Sequence, residues 1–181
     1  MKIKLVFFIA GLVVVMASVN WVYQVIQNPV ILISMLGSKQ FKSSKYTWNV
    51  YYDLFEEHST DIMTAEFLGA MAQVESGGNP IVSPEWKWRL TTNVFRIYAP
   101  ASTSVGLYQY TKPTFKGAKR FCIHNHKVVL DGFFLDPRTC WFNALYSRLS
   151  PSNSIEMTSA RLHYYTEKII RKSGQANASI L

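Results

Sequence analysis

No Asp, Glu, Lys or Arg occurs between Lys4 and Lys39. Within that stretch, Leu5 to Ile26 is 22 residues of almost unbroken apolar character. As an α-helix it reaches about 33 Å, enough to cross a bilayer whose hydrocarbon core is about 30 Å. This run constrains the chain more than any other feature, because it has no place in the core of a chain of 181 residues. Two readings stay open. Trp21 and Tyr23 suit the far interface of an uncleaved anchor. Val15 and Ala17 satisfy a small-residue rule for cleavage after a short apolar core, as in a signal peptide. Lys2 and Lys4 before the run are balanced by Lys39, Lys42 and Lys45 after it, so flanking charge does not choose.

The sequence divides at composition shifts into an anchor or signal (1–27), a linker (28–45), a globular domain (46–172) and a tail (173–181). Asn28-Pro29 breaks the first helix, Pro29 to Leu36 is an apolar patch, and the lysines and serines from Ser38 to Lys45 form a polar tether. Thr47 to His58 reads as an amphipathic helix with Val50, Tyr51 and Leu54 inward. Ser59-Thr60-Asp61 reads as a turn, and Thr64 caps the next helix. Phe115 to Phe121 reads as a helix with Lys116, Lys119 and Arg120 on its wet side. Trp141 to Arg171 reads as two helices parted by Ser150 to Asn153.

The helix after Thr64 carries the chemistry. Leu68, Met71 and Ala72 recur at the spacing of a buried face, and Glu75 falls seven residues after Leu68. Gly77 and Gly78 end the helix, since glycine tolerates the left-handed turn such ends need. A carboxyl in that last turn, pointing inward, meets apolar neighbours and the negative end of the helix dipole. Both disfavour ionisation, which is the environment of a general acid. A glutamate rotated to the solvated rim is the alternative.

A second piece lies downstream: Ser104-Val105-Gly106-Leu107-Tyr108-Gln109, followed by Pro113-Thr114-Phe115. Together with Glu75-Ser76-Gly77-Gly78-Asn79-Pro80 it resembles the lytic transglycosylase (SLT) family, over roughly residues 67–166. The family's pattern is Glu-Ser-x-x-x-Pro, then Ser-x-x-Gly-Leu-Met-Gln with Pro-x-Thr beyond. The resemblance implies a mainly α, lysozyme-like domain that cuts peptidoglycan glycan strands at the MurNAc–GlcNAc bond. It implies Glu75 as the one catalytic carboxyl, protonating the bridging oxygen and then deprotonating the sugar's own 6-hydroxyl to leave a 1,6-anhydromuramoyl end. Ser76, Ser104, Gly106, Tyr108 and Gln109 would hold the acid or the substrate. The family also places a tyrosine, within Ala-Tyr-Asn, beside its glutamate. Here the matching stretch is Ala160 to Thr166, without the asparagine. Tyr165 is the favoured counterpart, with Tyr164 one residue away.

Residues 80–102 form an insertion between the motifs, rich in rings and cations. Trp86 and Trp88 read either as substrate wall, where flat rings stack on sugars, or as cover for the core under a long loop. Cys122 and Cys140, in an exported chain, most simply form one disulfide. A metal site using both sulfurs with His124 and His126, or free thiols, are the other readings. No cofactor and no metal enter the expected chemistry.

The formal charge of +8 suits a polyanion. No nucleic-acid motif accompanies it, and peptidoglycan, with its carboxylates, fits. The expected partners are glycan strands, a membrane through the first helix, and an envelope-spanning assembly. The implied place is a bacterial inner membrane, single-pass with the domain in the periplasm, or the periplasm itself after cleavage. A hydrolytic muramidase, with Glu85 as second carboxylate, and a non-catalytic peptidoglycan-binding component are the competing functions.

Overall fold

A computed structural model describes residues 2–36, 42–133, 136 and 138–173, and these are mainly helical. The first half of the expected polar tether and nearly all of the expected tail lie outside the described residues. The chain divides into two units, Met1–Ser38 with Ser83–Thr103, and Lys39–Val82 with Ser104–Leu181.

The first unit begins with helix α1, Lys2–Gln27. Its segment Ile3–Gln27 is long and apolar enough to cross a membrane, and none of it is buried within the protein. A helix apolar on every side belongs either in a core or in lipid. Pro29 stops α1, and helix α2 (Val30–Leu36) follows directly, where the sequence suggests only a connector. Proline is tolerated at a helix start because the N–H it lacks has no intrahelical partner there. The insertion contributes strands β1 (Trp86–Trp88) and β2 (Tyr98–Pro100), antiparallel with Trp88 opposite Tyr98. A 3-10 turn, Val94–Arg96, connects them.

The second unit contains helices α3 (Ser44–Glu57), α4 (Ala65–Ser76), α5 (Lys112–Ala118) and α6 (Pro151–Ser173), with strands β3 (Phe121–His124) and β4 (Lys127–Leu130). Ser43 caps α3 by accepting from Tyr46 N, Thr64 caps α4 from Phe67 N, and Thr111 caps α5 from Thr114 N. Each satisfies a donor that the first helical turn leaves open. The inward face of α3 differs from the sequence reading. Thr47, Tyr51 and Phe55 are buried while Val50 is exposed. Thr47 goes inside because its hydroxyl bonds Gln73 Oε1 at 2.8 Å.

The core gathers Phe55, Leu68, Ala72, Leu107, Ile155 and Met157, all at or near zero exposure. Each of the larger side chains stabilises the fold by about 1.5–3 kcal/mol. The first half of α6 is the centre of this unit, with Ser154 to Ala160 buried on every side. Ser154, Ser159 and Ala160 are small enough to let neighbouring backbone approach. The expected helix over 115–121 ends at Ala118, and Phe121 instead opens a hairpin. Asn125 and His126 turn that hairpin with φ of 51° and 60°. Cys122 and Cys140 are bonded to each other. Closing that loop stabilises by about 3 kcal/mol in the chain-entropy model. With both sulfurs joined, the metal and free-thiol readings fall away.

Candidate functional site

Helix α4 ends as its glycines dictate. Gly77 has φ of 59° and Gly78 of 70°, and their N–H groups donate to Gln73 O and Ala72 O. Gly77 O accepts in turn from Lys42 N at 2.8 Å. A Cβ on Gly78 would collide with Thr47, so α3 and the end of α4 meet only because no side chain is there.

The second motif is a tight reversal closed by a pair of hydrogen bonds between Val105 and Tyr110, 3.1 and 3.0 Å. Gly106 takes φ of 86°, and Gln109 stands at 48°, a conformation unusual for a side chain. The Gln109 amide group accounts for that strain. Its Nε2 donates to Gly106 O at 3.0 Å and Val82 O at 3.3 Å, while its Oε1 accepts from Ser104 Oγ at 3.0 Å.

Three contacts join the two motifs, although they lie about thirty residues apart. Val82 O, in the segment leaving α4, accepts from both Gly106 N and Gln109 Nε2. Tyr108 Oη donates to Leu68 O on α4 at 2.9 Å. Burial pushes the Tyr108 hydroxyl well above the usual tyrosine range, so it is a fixed donor there. Tyr110, also raised by burial, accepts from Thr158 Oγ1 on α6 at 3.0 Å.

Several expected placements are corrected. Glu75 is exposed and has no hydrogen-bond partner among the described residues. The buried stripe of α4 runs through Ala65, Leu68, Gly69, Ala72 and Ser76, leaving Glu75 at its edge. Ser76 takes the inward place, and its hydroxyl donates to Ala72 O within the helix. Tyr165 is 44% exposed and packs near Phe121, with Arg161 over its ring. Tyr164 also lies against Phe121, at 5.0 Å. Neither hydroxyl meets Glu75. Trp86 and Trp88 belong to the first unit, where both rings lie against Tyr98. Trp88 is 76% exposed, so it covers no core.

A cluster that the sequence reading missed surrounds Glu156, a buried residue on α6. Oε1 accepts from Ile123 N at 3.0 Å and Oε2 from Tyr146 Oη at 2.6 Å. Burial first, then that bond, raises the Tyr146 hydroxyl above its ordinary range. His58 lies in the same group, 3.1 Å from Ser152 Oγ. Burial holds its imidazole below the ordinary range, against the opposing pull of Glu156 and Glu57. These side chains line a cavity of about 320 Å³. The signal in the sequence was a glutamate within a run of small and apolar residues, Ser154 to Ala160, where an unpaired charge has no place.

No protein-family model, no curated protein and no solved structure matches this chain.

Proposed function

We propose that the chain is a membrane-anchored lytic transglycosylase acting on peptidoglycan, with Glu75 as its single catalytic acid and base. The observation that supports this best is the junction of the two motifs. Val82 O binds Gly106 and Gln109, and Leu68 O binds Tyr108, so a reversal rich in fixed polar groups is tied to the helix whose last turn carries an open carboxyl. A glycan strand laid against that turn would exclude water from the carboxyl, the condition proton transfer needs.

Glu75 gives its proton to the bridging oxygen as the glycosidic bond breaks. The resulting carboxylate faces an oxocarbenium-like sugar. It then takes the proton of the sugar's 6-hydroxyl, whose oxygen closes on the anomeric carbon. The anhydro ring forms, the glutamate regains its proton, and no water is consumed.

An ordinary hydrolase needs a second carboxylate, and those that follow Glu75 in the second unit are engaged elsewhere. Asp131 pairs with Arg120, Asp136 with Arg138 and Glu167 with Arg171, while both oxygens of Glu156 are occupied. Glu85, the earlier candidate, belongs to the first unit, and the hydrolytic reading that uses it is an outcome of the test below. One observation favours a non-catalytic, glycan-binding reading: no described side chain holds Glu75 in place. In either reading α1 anchors the chain in a bacterial inner membrane, with the second unit in the periplasm.

Mass spectrometry of digested sacculi tests the proposal. Anhydromuramoyl ends are the expected result. Reducing ends would mean a hydrolase, and intact strands a binding component.

A further inference from the structure

The insertion has a use apart from the glycan site. Its two strands are three residues each, too short for an isolated hairpin to be stable in water. Three contacts attach it to the last turns of α1. Asn20 Nδ2 donates to Tyr98 O at 2.8 Å, Gln24 Nε2 donates to Phe95 O, and the rings of Tyr23 and Phe95 stack at 4.5 Å. At 1.5 Å per residue, Asn20 and Gln24 stand about 24 and 30 Å along the helix from Lys4. That is the level of the far edge of a hydrocarbon core about 30 Å thick.

At that level the hairpin exposes what a membrane boundary takes up. Trp88, Leu90, Val94, Ile97 and Tyr98 are all exposed, Leu90 completely. So many exposed apolar side chains on so short a segment are uncommon on a soluble domain. Between Ser83 and Thr103 three cations, Lys87, Arg89 and Arg96, face one acid, Glu85, so the segment's net charge is +2. Arg89 is held by the carbonyls of Pro100 and Ala101. Tryptophan and tyrosine favour the headgroup level, and arginine and lysine reach anionic headgroups while their stems stay in apolar surroundings.

We propose that residues 83–103 are a second membrane contact, lying in the headgroup–acyl boundary of the bilayer that α1 crosses. The proposal rests on α1 being an uncleaved anchor and is independent of Glu75. It assigns Trp86 and Trp88 to lipid rather than to a sugar.

The test uses the full chain reconstituted into vesicles of phosphatidylglycerol and phosphatidylcholine, with and without bromine part-way along one acyl chain. Bromine quenches tryptophan fluorescence only on contact. The W21F variant, which keeps Trp86 and Trp88, is expected to be quenched. W86F/W88F, which keeps Trp21, reports the anchor and is expected to be quenched too. The triple variant W21F/W86F/W88F is expected to lose the quench. An unquenched W21F beside a quenched W86F/W88F would leave the anchor standing and overturn the hairpin contact. No quench in either would overturn the anchor and the contact together. A quench surviving in the triple variant would assign the signal to another tryptophan and overturn the proposal.

Discussion

Gly106→Ala measures how tightly the second motif is held. At φ of 86° an L-residue pays about 1–2 kcal/mol in backbone strain. A Cβ there would also lie well under 3.0 Å from Arg148 O, a distance that real Cβ atoms essentially never show. The obstacle is backbone, so one of two segments must move. Moving the reversal loosens Gly106 N to Val82 O, 3.1 Å, and moving the Arg148 segment loosens Ser154 Oγ to Arg148 O, 3.0 Å. Each such bond contributes about 1 kcal/mol net. Strain and one or two loosened bonds together cost about 3 kcal/mol, a large part of a typical stability of about 5–15 kcal/mol. Urea unfolding in detergent, followed by circular dichroism, should show the midpoint falling by roughly 1–2 M. Gly117→Ala is the control. It sits in α5 with nothing within 4 Å, and should be neutral or stabilise by up to about 1 kcal/mol. A Gly106→Ala midpoint equal to wild type would refute the reasoning.

Two other perturbations address the Glu156 cluster. Glu156→Ala leaves the Ile123 N–H and the Tyr146 hydroxyl without their acceptor and should cost about 3 kcal/mol by the same unfolding assay; a loss below about 1 kcal/mol would mean that neither donor depends on it. His58 is held below its ordinary range when folded, so below about pH 6.5 the unfolded chain binds the proton first and stability declines. The melting temperature should therefore fall as pH drops from about 7.5 to about 5.5, and less steeply in His58→Gln. Equal slopes would remove His58 as the cause.

The legible features were those whose physics is local. An uncharged run long enough to span lipid needs no tertiary knowledge, and α1 follows from it. Thr64 and Gly77 bound α4 because caps act within one turn. The pairing of Cys122 with Cys140 came from counting. What escaped was set by packing. Glu75 and Leu68 are seven residues apart, nearly in line along a helix, yet the buried stripe drifts along the four-residue row to Ser76. The β3–β4 hairpin turns on Asn125-His126, without the glycine that makes such turns readable. Glu156 looked like one carboxylate among several until Ile123 and Tyr146 were seen to meet it. The insertion read as groove wall or as cover for the core because rings and cations suit sugars and membranes alike, and its contacts with α1, which the sequence does not show, are what the membrane proposal rests on.

The central claim is that Glu75 cleaves glycan strands without water. Sacculi digested in heavy-oxygen water by the wild-type chain and by Glu75→Gln test it most directly. The account predicts that wild type releases anhydro fragments carrying no heavy oxygen and that the folded Gln variant releases none. Heavy oxygen at the new ends, or a Gln variant cutting at the wild-type rate, would contradict it.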